Sequence, residues 1–176
     1  MSIRKLLGAA VMVVCVSFAA NANINPNAIG LRFGGGSLSG AEVNYQMAMG
    51  SANRLELGLS WSTKSDKIAG SNSKYNTNYI GAFCAYQWHW NIDGGFNWYV
   101  GPGGGVGFWS WSYNVGGYKD DDSGMYLDVG GQIGIEYDFN ALGAPILLSL
   151  DARPLFGLLN SSGFGWAAAL GVRYTF

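Results

Sequence analysis

Cysteine occurs twice in the 176 residues, histidine once and proline four times, and charged residues make up 12% of the chain. Each scarcity excludes something. Cys15 lies in the apolar N-terminal stretch, so once that stretch is removed Cys84 stands alone and no internal disulfide can form. Its expected role is a small interior-facing residue. Beyond the N-terminus no run approaches the roughly 20 apolar residues that a membrane-spanning helix needs. No basic stripe is present to hold nucleic acid. The single histidine, His89, leaves base-assisted nucleophilic chemistry only one imidazole to work with.

The first 22 residues read as a cleaved secretory leader. Arg4 and Lys5 precede an almost wholly apolar stretch from Leu6 to Ala20, and Ala20-Asn21-Ala22 supplies a small-x-small site, with cleavage expected after Ala22. Lipidation at Cys15 is disfavoured, because Met12-Val13-Val14 lacks the leucine and small residues that lipoprotein processing requires. Residues 23–176 then form one domain without a linker or a break in composition. They carry eight basic against eleven acidic residues, a formal charge of −3.

What the chain has in quantity is glycine (28 residues) and aromatics (15%), arranged with a period of two. In the closing segment SGFGWAAALGVRYTF, one face carries Phe164, Trp166, Ala168, Leu170, Val172, Tyr174 and Phe176. The other carries Gly163, Gly165, Ala167, Ala169, Gly171, Arg173 and Thr175. A bulky apolar face backed by glycine and one arginine suits a strand with lipid outside and a narrow lumen inside. The same alternation recurs with Ile29–Phe33, Ala41–Met47, Leu55–Trp61, Trp98–Phe108, Leu127–Phe139 and Ile146–Ala152 as apolar registers. A fourth segment puts Tyr79, Gly81, Phe83 and Ala85 on one face and Asn78, Ile80, Ala82 and Cys84 on the other. Its phase blurs at Tyr86–Trp90, as a β-bulge would cause. Eight strands result, an even number suited to a closed antiparallel up-and-down transmembrane β-barrel.

Charge placement tests this assignment. Lys64, Lys67, Lys74 and Lys119 fall in predicted loops, as do Asp66, Asp93 and Asp120–Asp122. The remaining charges are Arg32, Glu42, Arg54, Glu56, Asp128, Glu136, Asp138, Asp151, Arg153 and Arg173, and all ten have polar-face parity. An Arg or Lys on the lipid face at the bilayer midplane would cost about 2–4 kcal/mol. A soluble lipocalin-like barrel would show the inverse pattern, with charges outside and a greasy interior. Predicted connections alternate between short (Gly50–Asn53, Asn91–Gly95, Asn140–Pro145) and longer (Thr63–Lys74, Trp109–Gly124, Leu155–Ser162), with a tight turn at Gly34–Ser39.

The terminal GVRYTF, the repeated amphipathic strands and the segments QWHWNIDGGFNWYVGPG, GGQIGIEYDF and PILLSLDARP resemble those of small bacterial outer-membrane β-barrels. This is the eight-stranded OmpA- and OmpX-like or porin-like class, and the resemblance covers essentially residues 23–176. It implies a Gram-negative outer-membrane location, short periplasmic turns, and longer loops facing outward. It further implies surrounding lipid and lipopolysaccharide as partners, and recognition by the barrel-assembly machinery through Val172, Tyr174 and Phe176. A monomer without a cofactor is expected.

Within so narrow a barrel, side chains nearly fill the interior. The ten charges are read as a lumen network that holds register and closes the barrel; the alternative is a constriction passing small hydrophilic solutes. Arg32, Glu42, Asp128, Asp151 and Arg153 are placed from mid-height to the outer half, the other five nearer the periplasm. The run GPGGGVG (residues 101–107) either leaves a void or makes room for Arg and Trp from opposite strands; without a following Lys-Ser/Thr it is no phosphate loop. Trp88, Trp90, Trp98, Tyr99, Tyr137, Phe139, Tyr174 and Phe176 are read as an interfacial aromatic girdle. His89, between two tryptophans beside a periplasmic turn, is assigned to that girdle rather than to a lipid-hydrolysing site. Lys119-Asp120-Asp121-Asp122 is read as a solvated loop tip, its spacing lacking an EF-hand pattern.

Overall fold

The computed structural model describes residues 27–36, 40–67, 74–115, 118–159 and 163–176. The leader with its cleavage site and Cys15 lies outside the described residues, as does the centre of the first tight turn. Eight strands follow one another around a closed barrel, each antiparallel to both neighbours: β1 (Asn27–Gly36), β2 (Gly40–Ala48), β3 (Asn53–Lys67), β4 (Lys74–Asp93), β5 (Phe96–Val115), β6 (Tyr118–Asp138), β7 (Ile146–Leu159) and β8 (Gly163–Thr175). Closure comes from β1 against β8, in register from Ala28 opposite Thr175 to Gly36 opposite Ala167. With no edge left through the barrel body, the backbone is satisfied around the ring.

The period-two pattern sets which way each side chain points. Leu59, Ile80, Phe108, Ile135, Leu150 and Leu170 stand on the outer face at 49–66% exposure, while charged and amide side chains turn inward. The three connections at the end that holds both termini are tight. One contains a 3-10 turn, Phe139–Leu142, which Asp138 caps by accepting from the Asn140 backbone N–H, and which Gly143 ends at φ +80°.

Four sequence expectations are corrected. First, the apolar register assigned to β4 is inverted. Phe83 and Ala85 face inward with Gln87 and His89, whereas Ile80, Ala82 and Cys84 face outward. Cys84 is therefore an outer-face residue. Second, Tyr86–Trp90 holds no bulge: the β4 register is continuous there, and the irregularity lies at Asn91/Asp93 beside the turn. Third, the longer predicted loops and the start of the short turn at Asn91–Gly95 are mostly strand. Lys64, Lys67 and Asp66 belong to β3, Lys74 and Asp93 to β4, and Lys119 and Asp120–Asp122 to β6. Fourth, Asp121 and Asp122, neighbours in a strand, point to opposite faces and do not converge as a loop tip would.

The strands differ in length, and the difference is all at one end. The last β2 partner of β3 is Ala41, opposite Trp61, so Ser62–Lys67 runs past β2. The last β7 partner of β6 is Leu159, opposite Leu127, so Tyr118–Tyr126 runs past β7. At about 3.3 Å per residue these extensions reach about 20 and 30 Å along the strands. Strands β3–β6 thus form a raised four-stranded wall on one side of the mouth.

Candidate functional site: the barrel interior

All ten strand charges singled out above point inward, with exposures of 0–9%. Five of the strand positions across from them explain how they fit. Glu56 is opposite Ala85, Asp128 opposite Gly105, Asp151 opposite Ala169 and Gly134, and Arg153 opposite Ala167. Large side chains thus face small ones across neighbouring strands, which is how a narrow barrel fills its taper.

Glu56 is the centre of the arrangement. One carboxylate oxygen accepts from Arg153 Nη2 at 2.6 Å and Gln132 Nε2 at 3.3 Å. The other accepts from Gln46 Nε2 at 2.7 Å, Arg173 Nη2 at 3.0 Å and Gln87 Nε2 at 3.2 Å. A single side chain on β3 therefore joins β2, β4, β6, β7 and β8 across the lumen. Charge-assisted hydrogen bonds of this kind are about twice as strong as neutral ones, and a fully buried carboxylate is tolerated only when so satisfied.

Two further groups extend from this centre. Toward the mouth, Arg153 also donates Nη1 to Glu42 Oε2 at 2.6 Å, and Arg32 grips Asp151 with its Nε at 3.0 and 3.1 Å. Arg32 Nη1 lies 3.8 Å from Glu42, linking the two pairs. Toward the termini, Arg54 Nη1 donates to both Glu136 oxygens at 3.1 Å and to Gln46 Oε1 at 3.1 Å. Arg173 donates Nη1 to Ser149 Oγ at 2.6 Å and Nε to Asn44 Oδ1 at 3.1 Å.

His89 and Tyr99 belong to this interior and not to a girdle. Both are fully buried, directly opposite one another in the β4–β5 register, and stacked with centroids 5.0 Å apart. His89 Nε2 lies 3.3 Å from Gln87 Oε1, and Nδ1 lies 3.4 Å from Glu136 Oε1. Tyr99 lies flat over Gly134, where a Cβ would sit 2.6 Å from its hydroxyl oxygen. The signal available in the sequence was parity: Tyr99 alternates with Trp98 and Val100, and His89 shares its face with Gln87.

The GPGGGVG run makes room for aromatic rings, and its Gly105 borders a small cavity. Phe83 from β4 lies against Gly103 and Gly105, and the Tyr126 ring from β6 crosses Gly107 to reach Gly81. The Arg153 guanidinium sits 3.7 Å from the Phe83 ring centroid, a cation–π contact that caps the charged zone with an aromatic. Between Arg32, Glu42, Phe83, Tyr126 and Arg153 remains a cavity of about 30 Å³, room for a water or two.

The other aromatics assigned to the girdle lie near the terminal end. Trp90 stacks on Trp98 at 4.5 Å, Tyr137 meets Phe139 edge-on at 4.6 Å, Trp88 meets Tyr86 at 5.4 Å, and Tyr174 stacks on Phe176 at 6.3 Å. Phe96, which sequence reasoning missed, packs on Tyr137 at 4.6 Å. Val172, Tyr174 and Phe176 are 51–58% exposed. Among the described residues no group of three or more His, Cys, Asp or Glu side chains is placed to hold a metal ion.

No protein-family model matches the chain, and no curated protein matches it. Solved structures do. The N-terminal β-barrel domain of Pseudomonas aeruginosa OprF aligns with a TM-score of 0.52 at 18% identity, over 86% of this chain and 98% of that one. Outer membrane protein H (OprH) of P. aeruginosa aligns with a TM-score of 0.52 at 15% identity, over 86% and 99%. The attachment invasion locus protein Ail of Yersinia pestis, in complex with the heparin analogue sucrose octasulfate, aligns with a TM-score of 0.53 at 11% identity, over 85% and 96%. At such identities the likeness is one of fold: this chain is a closed, all-antiparallel, eight-stranded up-and-down β-barrel of the kind built by small bacterial outer-membrane proteins.

Proposed function

We propose that the protein is an integral outer-membrane barrel, exported behind a leader cleaved after Ala22, that serves a structural or surface-interaction role and conducts no solute. The observation that carries this reading is the convergence of five donors from five strands on Glu56. A solute would have to part Arg153 and Arg173 from a carboxylate in a site from which water is largely excluded, and breaking a buried pair costs about 3–5 kcal/mol. The apolar outer band is matched to lipid and lipopolysaccharide. The outward Val172, Tyr174 and Phe176 form the pattern offered to the barrel-assembly machinery. The barrel acts as a monomer without cofactor or catalytic centre; His89 is committed to Gln87, Glu136 and Tyr99 rather than to activating a nucleophile.

Proteoliposome swelling tests closure. Vesicles holding the purified barrel should swell no faster than empty ones in small sugars or amino acids, and solute-size-dependent swelling would overturn the reading. Orientation is tested separately. In a Cys84→Ser background, Ser123→Cys on the wall should react with an impermeant maleimide on intact cells; labelling only after lysis would reverse the assigned topology.

A further inference from the structure

The two strands that close the barrel offer each other few side chains on the inside. At the β1–β8 seam the inward cross-strand pairs are Ala28–Thr175, Gly30–Arg173, Arg32–Gly171 and Gly34–Ala169. Each contains a glycine or an alanine, so none is a side-chain pair of the kind that stabilises a ladder. On the outer face the pairs are Ile29–Tyr174, Leu31–Val172 and Phe33–Leu170. In an outer membrane these meet acyl chains as apolar as themselves and gain little by touching one another. From Ala28 to Gly34 and from Gly165 to Thr175, the only inward side chains longer than threonine are Arg32 and Arg173.

Both arginines reach over a neighbouring strand to the one beyond it. Arg32 on β1, opposite Gly171, crosses β8 to Asp151 on β7. Its Nε lies at 3.0 and 3.1 Å and its Nη2 at 2.5 Å from the carboxylate oxygens. The inner positions of β8 along this path are Gly171 and Ala169, the latter directly opposite Asp151. Arg173 on β8 runs the other way. Its stem lies on Gly30 of β1, where a Cβ would sit 2.7 Å from its Cγ. Beyond β1, its Nε donates to Asn44 Oδ1 on β2 at 3.1 Å, and its Nη2 donates to Glu56 Oε2 on β3 at 3.0 Å. One bridge thus ties β1 to β7 and the other ties β8 to β2. β1 cannot part from β8 without breaking both.

We infer that Arg32 and Arg173 form a two-way lock on the closing seam, and that the small residues between them let the arginines pass. Bonds between guanidinium and carboxylate in a site largely without water are among the strongest side-chain links a barrel can make. Filling the lumen does not by itself require this arrangement. Arg54 and Glu136 are equally buried, yet their pair joins β3 to β6 and spans neither β1 nor β8. The lock concerns the seam and stands whether or not the lumen conducts. Its outer-face argument rests on the membrane placement proposed above.

The test follows amide hydrogen exchange, resolved by residue with NMR, for the full barrel in nanodiscs. In Arg32→Met/Asp151→Leu the pair is replaced by apolar side chains, an exchange that need not lower global stability. The β1–β8 ladder amides should then exchange at least about tenfold faster, through local opening, while the β4–β5 ladder stays unchanged. Arg54→Met/Glu136→Leu should leave the seam as slow as in the wild type. Leu31 and Val172 are directly opposed across the seam, at a spacing a disulfide can bridge. Adding Leu31→Cys/Val172→Cys in a Cys84→Ser background and oxidising it should restore protection to the pair variant. If that variant does not fold, Asp151→Asn is read for the same selective loss at the seam. Equal acceleration in all strands, an unchanged seam, or acceleration that the disulfide fails to reverse would overturn the lock. A wild-type barrel that does not insert into nanodiscs would instead remove the membrane placement.

Discussion

The barrel body and the raised wall share the same four strands, the same register and the same period of two, yet they face opposite ways. In the body, Glu56, Gln87 and Gln132 point inward and Leu59, Ile80 and Ile133 outward. In the wall, Thr63, Asn78, Ser110 and Ser123 point outward and Tyr79, Trp109 and Trp111 inward. Backbone alternation is indifferent to chemistry; on the proposed membrane placement what inverts is the medium outside, since lipid selects apolar outer rows and water releases them to become polar. The inner face changes with it, from a buried charge network into which Phe83, Tyr99 and Tyr126 pack to the half-buried Tyr79, Trp109 and Trp111.

The largest effect expected from breaking this contrast is at the network's centre. Glu56→Leu leaves Arg153 and Arg173 as buried cations short of a partner, a loss of about 3–5 kcal/mol. The folded, heat-modifiable band should largely vanish after refolding into vesicles. A variant that folds with wild-type urea resistance would deny Glu56 its role. Next comes the outer surface: Leu59→Arg, in the apolar band, should cost about 2–4 kcal/mol in the same titration, whereas Ser110→Arg, in the wall, should cost about 0–1. Equal costs at the two positions would erase the boundary drawn between body and wall. Smaller again is Gly134→Ala, whose Cβ would meet the Tyr99 ring; overpacking there should destabilise by about 1–3 kcal/mol. Deleting Phe176 should leave intrinsic stability nearly unchanged but reduce the folded barrel recovered from outer membranes. Undiminished abundance would remove the terminal residue from assembly.

The same contrast explains how much of the molecule is legible in its sequence. Strand number and inward charge parity can be read in β1–β3 and β5–β8 because lipid outside imposes a bulky outer face, as in Leu55, Leu57 and Leu59. In β4 the rule misleads. Its interior position 83 is a phenylalanine lying on a glycine wall supplied by β5, and its outer positions 82 and 84 are small. Size therefore points one way and burial the other, and only Gln87 and His89, on the same parity as Phe83, carry the correct phase. Tyr99 and His89 look interfacial because they sit in a tryptophan-rich stretch near a turn; their stacking against Gly134 depends on a residue 35 positions along the chain from Tyr99. Lys64 and Asp122 look like loop residues because charge is expected to leave the strand at the membrane surface. The strands continue past it, and no local pattern in β3 or β6 announces that β2 and β7 stop short. The convergence on Glu56 is likewise a product of closure, since its five donors are spread from Gln46 to Arg173.

The closed lumen is tested most directly by recording ion current through the purified wild-type barrel in a planar bilayer. A lumen bridged by Glu56 predicts a silent membrane, with no steady or reproducible conductance step in molar salt. A uniform, long-lived conductance level that appears in proportion to the protein added would contradict it.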